Sequence, residues 1–91
     1  MAKAELIKVT GSVQEIEPKN GKDFSLEELH KAVGGWIQII HLKDGKVMVC
    51  HEEGKIMGLM PNEKATDIAF ENGILDYIVG NVVVCDSDMI K

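Results

Sequence analysis

The segment WIQIIHLKDGKVMVCHEEGKIMGLM, residues 36–60, constrains the fold more than any other part of this chain. Three runs rich in Ile, Val, Leu and Met are separated by Asp44-Gly45 and Glu53-Gly54, dipeptides that suit two-residue hairpin turns. The pattern predicts an antiparallel meander of three strands, 36–43, 46–52 and 55–60. Side chains alternate at period two, so two-residue turns decide which of them share a face. Ile40, Leu42, Val47, Val49, Ile56 and Met60 fall together with Trp36 and Gly58, on a face expected to receive a helix. The opposite face collects Ile37, Ile39, His41, Met48, Cys50, Met57 and Leu59. It is too apolar for simple solvation, so another part of the chain, or a partner, has to cover it.

That helix is announced just upstream by FSLEELHKAVGG. Ser25 followed by Glu28 makes a capping box, and Phe24 with Leu29 makes a hydrophobic staple. Leu26, Leu29 and Val33 are expected to line the buried face, and Gly34 to close the helix in the left-handed conformation. Before it, residues 6–10 and 13–17 read as a hairpin turning at Gly11-Ser12, ended by Pro18. After Pro61, Asn62 caps a second, short helix through EKATDIAFEN that buries Ala65, Ile68 and Ala69 and stops at Gly73. The final run VVVC, residues 82–85, is continuously apolar, the mark of a strand covered on both faces and placed near the middle of a sheet. The fold class is α+β: a mainly antiparallel sheet built from an N-terminal hairpin, a three-stranded meander and a C-terminal strand, with one well-capped helix and one short one. At 91 residues it is a single small domain, 1–91.

Charge narrows the partners. All ten basic residues are lysines, and the net charge is −5. Arginine is the residue that reads guanine edges and phosphates with a bidentate fork. Scattered lysines on an acidic chain release few counterions from a phosphate backbone, so direct nucleic-acid binding is not expected. No apolar run approaches the ~20 residues that span a bilayer. The N-terminus MAKAELIKVT carries no apolar signal region, so no membrane contact is expected and the chain reads as cytoplasmic.

No constellation of catalytic residues emerges. His30, His41, His51, Cys50 and Cys85 lack zinc-ligand spacing, and His41 and His51 are expected on opposite faces. Cys50 and His51 are adjacent in a strand and point apart, so they cannot share a proton. Two cysteines are better read as small buried side chains than as a disulfide framework. Glu27-Glu28 serves the helix start, Glu52-Glu53 leads into a turn, and Asp86 and Asp88 lie in a frayed tail. Neither a metal nor another cofactor is expected, and the chain reads as no enzyme.

The stretches EPKNGKDFSLEELHKAVGGWIQII, DGKVMVCHEEGKIMGLMPNEKAT and DYIVGNVVVC resemble a domain-of-unknown-function family, the one numbered 3846. The likeness runs from about Glu17 to Cys85. It is carried most specifically by Val33-Gly34-Gly35, by Glu52-Glu53-Gly54-Lys55 with Pro61-Asn62 shortly after, and by Ile78-Val79-Gly80-Asn81. Trp36 stands where the family often has tyrosine, and Met60-Pro61 where it has leucine-proline. The resemblance implies a short accessory protein carried by phages, plasmids or conjugative elements, and it implies no activity. Two functions follow as expectations. One is a non-enzymatic protein acting by contact, through self-association or a host protein, with Ile37, Ile39, Met48, Met57 and Leu59 as the interface. The alternative is capture of a small, nucleotide-like ligand at the strand-to-helix corner Met60, Pro61, Asn62, Glu63 and Lys64.

Overall fold

Residues 4–90 are described by the structure, a computed structural model. Strands β1 (Ala4–Ile7) and β2 (Val13–Ile16) form the expected hairpin. Its turn lies two residues earlier than expected, at 8–11, with Gly11 at φ 93°. Helix α1 (Leu26–Val33) follows, then strands β3 (Ile37–His41) and β4 (Lys46–His51), helix α2 (Glu63–Glu71) and strand β5 (Val82–Asp86). A 3-10 turn at Ser87–Met89 follows β5. The five strands make one antiparallel sheet in the order β2-β1-β5-β4-β3. The last strand is therefore the central one, as its unbroken apolar run requires.

Both helices start where local chemistry puts them. Ser25 Oγ accepts from Glu28 N at 3.2 Å, and Glu28 Oε1 accepts from Ser25 N at 2.9 Å. Phe24 and Leu29 are buried in one cluster with Ala4, Val33, Val47, Val49, Val83, Cys85 and Met89. Leu26, at the first turn, is exposed rather than inward-facing. On the other side of the sheet, α2 places Ala65 and Ala69 against Ile7, Met48, Cys50, Ile78 and Val82. The sheet is thus sandwiched, with α1 on one face and α2 on the other. The tail is not frayed: Met89 is buried and its carbonyl accepts from Phe24 N at 2.7 Å.

Two corrections to the expected meander matter for function. There is no strand at 55–60. Residues 52–59 run as successive turns, with Met57 N bonding Glu53 O and Leu59 N bonding Gly54 O. The place beside β4 belongs to β5, whose Val82, Val83 and Cys85 can be buried on both faces at once. A strand 55–60, opening on Lys55 and interrupted by Gly58, cannot compete for that position. The second correction is a one-residue slip. Asp44 (φ 60°) and Gly45 (φ 72°) do form a primed turn, but Leu42 N bonds Lys46 O at 2.8 Å while Lys46 N bonds Lys43 O. Leu42 and Lys43 together oppose one residue, which is a β-bulge. Ile39 consequently pairs with Val49, and Ile37 with His51. The faces of β4 stand as expected, with Val47 and Val49 toward α1, but those of β3 are exchanged. Ile37 packs with the α1 cluster, while Ile40 and Leu42 pack with the α2 cluster.

Candidate functional site

The chain's distinctive motifs converge at the end of the sheet where β4 runs out. Pro61 bridges to Val79, Asn62 N bonds Ile78 O at 2.8 Å, and Gly80 N bonds Met60 O at 2.8 Å. Segment 60–62 is thereby laced to segment 78–80. Asn62 is the keystone of this corner, only 1% exposed. Its Oδ1 caps α2 by accepting from Ala65 N at 3.1 Å. Its Nδ2 donates to Ile7 O at 3.0 Å and to Gly80 O at 2.9 Å. Thr66 Oγ1 adds a bond from Ile78 N at 2.9 Å. One side chain therefore ties β1, α2 and the 78–80 segment together.

The glycines of these motifs allow close approach. A Cβ on Gly54 would come within 2.8 Å of Val79 Cγ2. A Cβ on Gly35 would come within 2.4 Å of His51 Nε2. His51 is buried, and its Nδ1 accepts from Glu53 N at 3.0 Å, fixing the first step of the 52–59 loop.

Beside this corner lies a cleft of about 150 Å³. Gln38 and Ile40 of β3, Cys50 of β4, Lys55 and Ile56 of the loop, and Asp76 and Tyr77 line it. Lys55 Nζ sits 2.6 Å from Asp76 Oδ1 and 4.3 Å from the centre of the Tyr77 ring. The hydrogen bond from Lys55 holds the Asp76 carboxyl below its ordinary range, helped by the bond from Tyr77 N. Burial pushes the Cys50 thiol up, with the Lys55 charge opposing it, and Cys50 Sγ leans on Gln38 O at 3.8 Å. Neither sulfur favours the thiolate: burial, with the charges of Asp86 and Asp88, pushes Cys85 up to about 11. Lys55 and Asp76 thus neutralise one another, and Glu52 and Gln38 add polar groups to the lining. Large apolar side chains are exposed on the segments that carry the pair. Ile56 is 86% exposed and Leu75 is 90% exposed, with Met57 and Tyr77 beside them.

The expected site residues are dispersed. Met48 is fully buried against α2, and Ile37 is half-buried toward α1. Ile39 is exposed on the α1 side of β3, whereas Met57 and Leu59 sit in the turns of the loop. They form no common face, because the bulge exchanges the faces of β3 and the third meander strand does not exist. At the corner, Asn62 is enclosed, Met60, Pro61, Glu63 and Lys64 are exposed, and Met60 borders a hollow. That hollow, about 250 Å³, is shared with Val9, Val33, Leu59, Gly80 and Asn81.

The slip also places His41 and His51 on the same face rather than on opposite ones. They oppose Val47 and Ile37 respectively, at the two ends of the hairpin. That separates them by about 13 Å at the rise of a strand. Among the described residues, no three His, Cys, Asp or Glu side chains are grouped closely enough to hold a metal ion. His30 meets Trp36 edge-on at 4.6 Å, its Nε2 buried without a hydrogen-bond partner among the described residues. A wider hollow of about 400 Å³ lies at the start of α1, beside Lys19, Glu27, Glu28 and Lys31. There the Glu28 carboxyl is already occupied by Ser25 N and Lys19 N, which hold its pKa low.

The reading of the sequence did not reach the Lys55–Asp76–Tyr77 group. Asp76 and Tyr77 lie in an irregular stretch before the last strand, Asp76 21 residues from Lys55, and no local pattern announces the pairing.

The family model for a domain of unknown function, DUF3846, matches residues 3–89, nearly the whole chain. The chain belongs to the DUF3846 family. In this DUF3846 protein the motifs that carried the resemblance are the ones that meet: Gly35 against His51, Gly54 against Val79, and Pro61-Asn62 laced to 78–80. No curated protein and no solved structure matches the chain. Among the described residues, no helix is long and apolar enough to cross a membrane.

Proposed function

We propose that this DUF3846 protein is a non-enzymatic accessory protein of a phage or mobile element that works by protein–protein contact. The observation that carries the reading is the set of exposed apolar side chains on the two segments that carry Lys55 and Asp76. Ile56, Met57, Leu75 and Tyr77 are exposed on two segments pinned together by the Lys55–Asp76 ion pair. Large apolar side chains held out on braced loops mark interaction surfaces more than random exposure does. The cleft they frame is small beside the ~300–1,000 Å³ typical of small-molecule sites. Photocrosslinking in the native host tests the reading. A benzophenone amino acid at Ile56 or Leu75 should give discrete protein adducts, lost when the other position is changed to lysine. No adduct, or the same adducts from Gln14 on the far edge of the sheet, would defeat it.

A second reading, a nucleotide-like ligand at Met60–Lys64, rests on the hollow that Met60 shares with Leu59, Gly80 and Asn81. It predicts a rise in melting temperature with a nucleotide that Met60→Lys abolishes. No shift with any common nucleotide removes it.

A further inference from the structure

We infer that β3 is a pairing edge for a second copy of this chain, joining two five-stranded sheets into one. This pairing rests on the protein-contact reading and adds to it a second contact, self-association, on a different surface from the exposed Ile56 and Leu75. In the observed register, Trp36 and Leu42 turn their backbone groups toward β4: Glu52 N bonds Trp36 O, and Leu42 N bonds Lys46 O. Antiparallel pairing alternates, so Ile37, Ile39 and His41 turn their N–H and C=O groups outward. No hydrogen bond from a described residue reaches those outward groups. They form a regular row along a strand that has no proline, no lysine and no carboxylate, IQIIH.

The other edge of the sheet is guarded. Strand β2 carries Glu15, and Glu17 and Pro18 follow it. Placed against a copy of itself, that edge would oppose carboxylates, and proline offers no N–H. Within Ile37–His41, edge β3 carries none of these devices, and the bulge and Lys43 lie beyond its last outward residue. A two-fold axis through Ile39 pairs Ile39 with its own copy, Ile37 with His41 and Gln38 with Ile40, so no like charges are opposed in a chain of net charge −5. Each outward residue then exchanges both backbone groups with its partner, which is strand addition between identical chains. The pairing also covers Ile39 and brings Trp36, 63% exposed, alongside the partner strand. The uncharged edge favours a second copy over a charged peptide.

Sedimentation velocity of the full chain from micromolar to submillimolar concentration tests this. Wild type is expected to dimerise, with the amides of Ile37, Ile39 and His41 gaining exchange protection as the dimer forms. Ile39→Lys and Ile39→Glu should each be folded monomers by circular dichroism, because this side chain is already partly in water. Mixed together, the two variants should form a heterodimer, since opposite charges then meet at the axis. Merely damaged folds would not be rescued by mixing. A wild type that stays monomeric throughout, or a dimer untouched by both substitutions, overturns the edge pairing. Adducts at Ile56 would still appear in that case if the chain acts on another protein, so the two failures are separable.

Discussion

Replacing Asn62 by alanine should cost far more than an ordinary helix cap. The cap alone, the bond from Ala65 N, is worth ~1 kcal/mol. The same substitution removes the amide that donates to Ile7 O and Gly80 O inside a site only 1% exposed. A buried carbonyl deprived of its donor costs ~1–3 kcal/mol. Together the loss should be about 2–4 kcal/mol, a large share of the ~5–15 kcal/mol that holds a small domain folded. Urea melts followed by far-ultraviolet circular dichroism measure it, and thermal melts should show the midpoint lowered by at least about 8 °C. Asn62→Asp separates the two roles. The carboxylate keeps the bond from Ala65 N but faces two carbonyl oxygens where the amide donated. Burial and those oxygens favour the protonated acid, so the folded pKa is raised. Relative to wild type, this variant should be best at low pH and lose stability as pH rises. A loss below ~1 kcal/mol for Asn62→Ala, no more than a surface cap, would refute the keystone role of this residue.

Three further expectations follow. Leu29→Ala should destabilise by ~2–4 kcal/mol as a truncated core leucine and Ser25→Ala by ~1 kcal/mol as a lost cap, both read from urea midpoints. Gly35→Ala should shift the His51 ring resonances and lower the melting temperature, because its Cβ would lie 2.4 Å from His51 Nε2; unchanged His51 shifts would contradict that packing. The Cys85 thiol is raised from an ordinary 9.0 to about 11, so the folded state holds a proton that the unfolded state releases in that range. Stability from this group is complete below pH 9.0 and is lost as pH rises through about 11. Cys85→Ala should flatten that alkaline decline in urea melts, and an unaltered slope would count against the burial of the thiol.

What the sequence disclosed follows the range of the interactions. The caps of both helices were legible because Ser25 with Glu28, and Asn62 with Ala65 N, act within four residues. The central place of β5 was legible because a strand covered on both faces must be apolar throughout, and Val82 to Cys85 are. The missing third meander strand was not legible. Glu53-Gly54 has the composition of a hairpin turn, and only the distant β5 decides that β4 has no room for another neighbour. The slip at Lys43 is subtler. The turn residues Asp44 and Gly45 took the conformation their identities imply, yet one extra residue before them exchanged the faces of β3. That single bulge dissolved the expected interface of Ile37, Ile39, Met48, Met57 and Leu59. Asn62 was legible as a cap but not as a tie, because Ile7 lies 55 residues away.

The order β2-β1-β5-β4-β3 also governs when the protein can exist at all. The β1–β2 and β3–β4 hairpins bond to β5 and not to each other, so they remain separate pieces while Val82–Asp86 is still to be made. During synthesis, β1 waits through more than seventy residues for its second neighbour, and β4 offers an unpaired apolar edge meanwhile. Loop closure over that distance precedes any reward from the central pairings, a topology that slows folding relative to helical chains of equal length. The sheet therefore cannot be completed until Val82–Asp86 has been made and has left the ribosome. A ribosome stalled before Val82 would present two unjoined hairpins to the chaperones and proteases of its host.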